Sequence, residues 1–417
     1  MPSISLDPRE FLETAYQHYQ KGNLAQADAM CRHLIANNRE GPHAYNILGM
    51  IALSIGMPAH AQTYFKKALR LDPSHTLAKK NLRSAKKEQK KRKPLRSGKQ
   101  KFLLIKAWGS GFWADVDHVL GQLLLAEISG RIPIVLWEEN SLYHDGRCDN
   151  AFELYFEPVS DARLEQVTIA GISYFPPKWN HQNIKTPEIN KSDGEYSRMA
   201  GLYFLNRNED VIVGDFHTYV SDLAPWIEAR SPLSRMSPQA IYRYLFKKYI
   251  RLKTDIIEEI EQYRKQYIED RQVIAVHVRG SDKILESSEL NQINSQYHAQ
   301  IEHHLARLPD AFIFLLTDSS LILDEYKQKY GDRLLYRDCA RTEGSIGIHY
   351  QEHNDKRRIG IEIIVDTYIA AMCDAFIGYG GTNVSTSILH LKEWDDDNVT
   401  LLGNNSLFQA HLFLHNR

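Results

Sequence analysis

Residues 101–136 restrict the fold more than any other stretch. KFLLIKAW is an apolar run of strand length that ends at Gly109-Ser110-Gly111, and a helical pattern, ADVDHVLGQLLLAEIS, follows it. The helix pattern stops at Gly130 and gives way to a second strand-like run, IPIVLW. Strand, glycine turn, helix and strand make a βαβ unit, which returns the chain in its original direction and so predicts a parallel sheet. Ligands of such sheets bind at the carboxyl ends of the strands. After a loop-rich aromatic stretch to about Trp226, a helical region spans 238–269, and three more strand candidates follow: VIAVHVR, AFIFLLTD and DAFIGYG. Two βα halves joined by helices predict a two-lobed α/β enzyme domain.

A length of 417 residues corresponds to about three structural units. A hydrophobic share of 43% and a charged share of 25% supply a large core and exclude disorder or a coiled coil for the whole chain. Four cysteines without a C-x-x-C pair make neither a disulfide framework nor a cysteine zinc site, which points to a reducing, cytoplasmic setting. The N-terminus has no basic stretch followed by an apolar one, and no run reaches the roughly 18 apolar residues of a membrane span. A net charge of −1 gives no overall pull toward nucleic acid or anionic lipid.

At a shift of 34 residues the chain aligns with itself, Gly22 on Gly56, Ala27 on Ala61, Cys31 on Phe65 and Ile35 on Leu69. That period belongs to tetratricopeptide repeats. From Pro42 to Ser74 the chain resembles a nearly complete one, with Leu48-Gly49, Gly56, Ala61, Phe65, Ala68 and Pro73 in place. A lysine-rich helix from about His75 to Lys91 reads as a solvating cap. Two repeats plus a cap are fewer than the three units stacking usually needs, so the module is expected to lean on the rest of the protein. The expected division is repeats and cap at 1–92, a basic linker at 93–100, and the two-lobed α/β domain at 101–417, with its first lobe at about 101–240 and its second at about 241–417. The basic run Lys86 to Arg96 has no interleaved aromatic, which favours a linker over a nucleic-acid patch.

In VIAVHVRG the period of two places His277 and Arg279 on one face of a strand. A guanidinium at a strand's carboxyl end offers a diphosphate paired N–H donors and a permanent charge. FLLTD ends likewise at Asp318, and GYGGTNVSTSILHL places Thr382 and Asn383 at a helix start, a ready anion site. Asp366, on the preceding helical pattern, can accept from purine N–H groups.

VIAVHVRGSDK, LLTDSSLI, IIVDTYIAAMCDAFIGYGGTNVS and YLFKKYIRLKTDIIEEIE resemble the α-1,6-fucosyltransferase family, which includes core-fucosylating enzymes and rhizobial nodulation-factor fucosyltransferases. IKAWGSGFWADVDHVLGQLLLAEISGRIPIVLWEEN is similar to the family's glycine-rich loop, helix and strand, with two extra residues between Gly111 and His118. The resemblance implies an inverting, metal-independent glycosyltransferase of GT-B-like fold that uses GDP-fucose and needs no cofactor. By position it implies a phosphate contact at Arg279, guanosine contacts at His277 and Asp366, and nucleotide neighbours at Gly109, Gly111, His118, Asp282, Asp318, Thr382 and Asn383. Lys283 matches a lysine near the reacting centre, and Tyr297 a tyrosine on the following helix. Two positions depart. The family's second arginine is Gly280, and its glutamate falls on Ser287, which leaves Glu286 or Glu289 as the base, with Glu286 preferred for lying three residues from Lys283.

Asp115-Val116-Asp117 has the DxD form of metal-dependent glycosyltransferases, but on a helix residues two apart point to nearly opposite sides and cannot chelate one ion. Asp115 is expected as a first-turn acid, Asp395–Asp397 as an exposed loop, His303-His304 as a polar face and Cys373 as a packed thiol. The functional expectation is fucose transfer from GDP-fucose to a glycan or protein acceptor, the repeats recruiting the acceptor or a partner. The alternatives are an inactive transferase-like scaffold, favoured by Gly280 and Ser287, and the same enzyme type with another nucleotide sugar.

Overall fold

The computed structural model describes residues 7–37, 41–91, 100–187, 201–215, 217–280, 290–344, 347–348 and 355–403. Five helices come first: α1 (Pro8–Gln20), α2 (Leu24–Ala36), α3 (Pro42–Ser54), α4 (Pro58–Leu71) and α5 (Thr76–Lys91). Proline opens α1, α3 and α4, where its missing N–H costs nothing. The basic segment 92–99 lies outside the described residues.

The first sheet runs β2-β1-β4-β3, all parallel, from β1 (Phe102–Lys106), β2 (Ile132–Leu136), β3 (Tyr174–Phe175) and β4 (Val211–Gly214). Between β1 and β2 lies α6 (Phe112–Ser129), which closes the βαβ unit read from sequence. After β4 come the short α7 (Val220–Leu223), then α8 (Pro238–Tyr249) and α9 (Thr254–Tyr263), which continues as a π-turn at Arg264–Ile268. The helical pattern over 238–269 is thus interrupted. Lys253 N–H donates to Tyr155 O (3.0 Å) and Leu252 bridges Phe156, so pairing with the first lobe takes the backbone groups a continuous helix would have used.

The second sheet, β7-β6-β5-β8-β9, is also entirely parallel. It is built from β5 (Val273–His277), β6 (Phe312–Leu316), β7 (Leu334–Leu335), β8 (Ala375–Tyr379) and β9 (Val399–Leu402). Its helices are α10 (Leu290–Asn294), α11 (Tyr297–Arg307), α12 (Ser320–Tyr330), α13 (Lys356–Met372) and α14 (Asn383–Leu391). Helical repeats followed by two parallel α/β lobes match the fold class read from sequence.

One apolar core crosses all of this. It runs from Ala15 and Ala27 through Phe65, Trp113, Trp226 and Phe246 to Ile364 and Ile388. The repeats join it through α2 and α4. Arg32 lies over the Trp226 ring at 5.3 Å, His60 stands against the same ring, and Leu24 N–H donates to Tyr203 Oη at 3.0 Å. The module therefore does lean on the first lobe. Trp113 Nε1 donates to Thr367 Oγ1 at 2.8 Å, tying α6 to α13, and α14 packs against α6 and α8. No helix among the described residues is long and apolar enough to cross a membrane.

The seating of α6 depends on Gly121. A Cβ built there would stand 1.6 Å from the Thr218 carbonyl oxygen, so helix and backbone must separate to admit a methyl group. Gly121→Ala is expected to lose about 1–3 kcal/mol in urea unfolding despite its better helix propensity; a gain in stability would show the contact to be soft.

Candidate active site

The second sheet's carboxyl edge brings the predicted residues together. Past His277, Val278 N–H donates to Leu316 O at 2.9 Å, so β5 and β6 stay paired and Arg279 emerges beside Asp318. Arg279 Nη1 lies 2.7 Å from Asp318 Oδ2, and Gly280 N–H donates to Oδ1 of the same carboxylate at 2.8 Å. One acid thus fixes both the cation and the turn after it. Asn294 Nδ2 donates to Arg279 O and Tyr297 Oη to His277 O, so α10 and α11 brace the same strand end.

At the adjacent edge Thr382 caps α14, its Oγ1 accepting from Ser385 N–H at 3.4 Å. Ser385 Oγ lies 2.8 Å from His277 Nδ1 and Thr382 Oγ1 lies 3.5 Å from it. Asp366, on α13, accepts from Arg337 Nη1 at 2.8 Å. Burial pushes the Asp366 carboxyl up against the pull of Arg337. Arg337 also reaches Glu259 on α9, and Ala340 N–H donates to Glu362.

A cavity of about 100 Å³ opens among these groups, lined by His277, Arg279, Asp318 and Asp366 together with Cys339 and Thr367. Four positions picked from three separate sequence segments therefore share one wall. Thr382 and Asn383, at the start of α14, do not line it, and Thr382 comes no nearer than its 3.5 Å approach to His277. Asp282, Lys283 and Glu286 lie outside the described residues, as do Ser287 and Glu289.

The first-lobe positions are arranged differently. Gly109 and Ser110 N–H groups donate to Asp115 at 3.2 and 3.0 Å, so the first-turn acid of α6 folds back to hold the glycine loop. Gly111 is the N-cap of α6. His118 is fully buried with Nε2 3.2 Å from Gly214 O, and none of the three lines the cavity. Asp117 faces elsewhere, 3.6 Å from His217 Nε2, and burial pushes it up to about 7. The two carboxylates of the DxD string thus serve different partners, as helix geometry required.

His303 is exposed, but His304 is buried with Nε2 2.9 Å from Thr400 Oγ1 and so does not belong to the expected polar face; Cys373 is buried and Asp395–Asp397 is exposed, as read from sequence. The sequence reading missed Arg337, Glu259 and Cys339. Arg337 follows β7 as Arg279 follows β5, but a two-residue strand leaves no pattern to read. It also missed His144, Asp145 and Cys148, whose ligand atoms lie within 4.8 Å of one another. His144 Nδ1 accepts from Gly146 N–H and Asp145 Oδ1 from Arg147 and Cys148 N–H, so these atoms already close a turn.

Burial, helped by the nearby Arg279 charge, holds His277 down to about 3. The imidazole is neutral at neutral pH. Because its unfolded value is about 6.5, the unfolded chain takes up the proton first as pH falls. Its contribution to stability is complete above about pH 6.5 and is lost progressively toward 3. His277→Gln should accordingly flatten the fall of Tm below pH 6.5 relative to the unmodified chain; parallel curves would count against a buried neutral imidazole.

Residues 42–75 match the tetratricopeptide repeat family. Nodulation protein Z of Bradyrhizobium diazoefficiens is 23% identical over 308 residues, which cover 68% of this chain and 76% of that protein. Among solved structures, the selenomethionine form of fucosyltransferase NodZ from Bradyrhizobium aligns with a TM-score of 0.49 at 21% identity, over 73% of this chain and 98% of that one. POFUT1 in complex with GDP aligns with a TM-score of 0.42 at 14% identity, over 74% and 100% of the two chains. The resemblance first carried by the motifs is borne out by the sequence match: the chain is a homologue of nodulation protein Z that carries a tetratricopeptide repeat.

Proposed function

We propose that the chain is an inverting, metal-independent glycosyltransferase that moves fucose from GDP-fucose to a glycan or protein acceptor. The observation that carries this reading is the shared cavity wall of His277, Arg279, Asp318 and Asp366. Arg279, held by Asp318 at 2.7 Å, supplies a guanidinium for the diphosphate. Asp366 supplies a carboxylate for a purine's N–H groups once Arg337 yields or shares it. Neutral His277, set by Ser385, offers its other ring nitrogen to the nucleoside.

The reaction is a single displacement. The acceptor oxygen forms a bond to the anomeric carbon while the bond to the diphosphate oxygen breaks, and the electron pair leaves with GDP. Arg279, Lys283 and the first turn of α14 stabilise that growing negative charge without a metal. The acceptor's proton passes to a carboxylate, assigned to Glu286. Attack from the face opposite the leaving group inverts the sugar. The repeats recruit the acceptor or a partner protein, a role supported by the tetratricopeptide match over residues 42–75.

A second reading, an inactive scaffold of the same fold, draws on Gly280. A Cβ there would stand 2.6 Å from Ser319 Cβ, so the position where related enzymes carry a second arginine has no room for one while α12 starts where it does. Donor binding without turnover would favour that reading.

Calorimetry with GDP and UDP tests the donor: GDP should bind, and binding of UDP alone would overturn the assignment. Arg279→Ala should weaken GDP by about 1.5–3 kcal/mol, roughly 10- to 150-fold. Glu286→Gln should leave GDP affinity in place and cut turnover about 10²-fold or more, whereas collapse in Glu289→Gln with full activity in Glu286→Gln moves the base. Turnover, or donor hydrolysis, should survive excess EDTA; loss restored by Mn²⁺ would sink the metal-independent mechanism.

A further inference from the structure

Asp366 is held by a side chain that takes no part in the transfer itself. Its Oδ1 accepts from Arg337 Nη1 at 2.8 Å, and the same Nη1 donates to Glu362 O at 3.2 Å. Arg337 Nη2 turns the other way, to Glu259 on α9. The guanidinium is only 7% exposed, so it bridges two acids from inside the protein. Arg341 Nη2 donates to Arg337 O at 2.8 Å and fixes the backbone that carries it. Asp366 keeps 17% of its side chain exposed and lines the cavity, where Ile359, Ile363 and Val384 offer apolar walls to a flat ring. Cys339 Sγ approaches Oδ2 at 3.8 Å, a weak thiol contact that leaves this oxygen able to accept from a ligand.

The charge on the carboxyl decides which base edge it can meet. When ionised it accepts on both oxygens, which suits two adjacent donors, the imino N–H and exocyclic amino group of guanine. When protonated it offers a donor beside an acceptor, which suits the ring-nitrogen acceptor and exocyclic amino donor of adenine. Burial pushes Asp366 toward the protonated form, and Arg337 is the largest cause opposing it. The other titratable groups around it do not replace Arg337. Arg341 gives its Nη groups to the Cys339 and Arg337 carbonyls, Glu362 repels, and burial keeps the Cys339 thiol and the Tyr263 phenol of α9 neutral. Across the cavity His277 is neutral and Arg279 is taken by Asp318.

We propose that Arg337 sets the base preference of the nucleotide site: by fixing Asp366 as a double acceptor it selects a purine with two adjacent N–H donors over one with a donor beside an acceptor. Arg337 acts through Asp366 rather than on the base, a positioning role that rests on the donor reading above.

Calorimetry on the full chain with GDP, IDP and ADP tests it. The unmodified chain should bind GDP about tenfold or more tighter than IDP, which lacks the exocyclic amino donor, and ADP more weakly than either. Arg337→Met removes the charge while Glu259 keeps both oxygens on Arg358 at 2.8 Å, so the clamp between α9 and α13 remains. In that variant the GDP-to-ADP affinity ratio should drop about tenfold or more, and on acidification GDP affinity should begin to fall at a higher pH than in the unmodified chain. Arg337→Lys keeps a charge beside Asp366 and should retain the ratio. Asp366→Asn, with Arg337 still in place, turns an amide donor to the base and should shift preference toward ADP. An arginine that merely supported the fold would weaken all three nucleotides alike. Equal losses for GDP and ADP in Arg337→Met therefore overturn the proposal, as does the same loss of ratio in Arg337→Lys; should Arg337→Met not fold, an unmoved ratio in Asp366→Asn does so. GDP binding with an unmoved ratio sinks this role alone, whereas no GDP binding by the unmodified chain sinks the donor reading and the base preference with it.

Discussion

The burial of α6 between the two lobes is the constraint on which the remaining arrangement depends. Its first turn holds the glycine loop through Asp115, its middle touches backbone at Gly121, and its Trp113 reaches across to Thr367. Thirteen of its 18 residues are buried. A helix so enclosed cannot shift without moving both sheets, because packed interiors resist even one added methylene. The two sheets are therefore held in one arrangement by the helix between them.

Much of this was legible in the sequence. The strands β1, β2, β5, β6 and β8 are each five residues of nearly unbroken apolar character, and such runs are read directly. The strands missed, β3, β4, β7 and β9, have two to four residues and draw their identity from neighbours already in the sheet. His277, Arg279 and Asp318 were readable because each stands at or just past the end of a long strand. Asp366 was readable as a carboxylate on a helix, but its pairing with Arg337, 29 residues earlier, is a tertiary fact with no local signature.

Asp318 carries a load that its position as a strand-end acid does not announce. By taking the Arg279 guanidinium on one oxygen and the Gly280 amide on the other, it sets the direction of a side chain and the path of the backbone at once. Breaking a paired, half-buried charge of this sort leaves its partner uncompensated, so the acid matters to the cation's orientation as well as to its charge.

The docking of α2 and α4 on Trp226 and Tyr203 has a mechanical meaning. Because these second helices of each repeat are committed to the first lobe, the opposite face, formed by α1, α3 and α5, points away at a bearing fixed by the shared core. A molecule held on that face would be held at one distance and one angle from the first lobe, so its length and stiffness would set how far across the protein it reached.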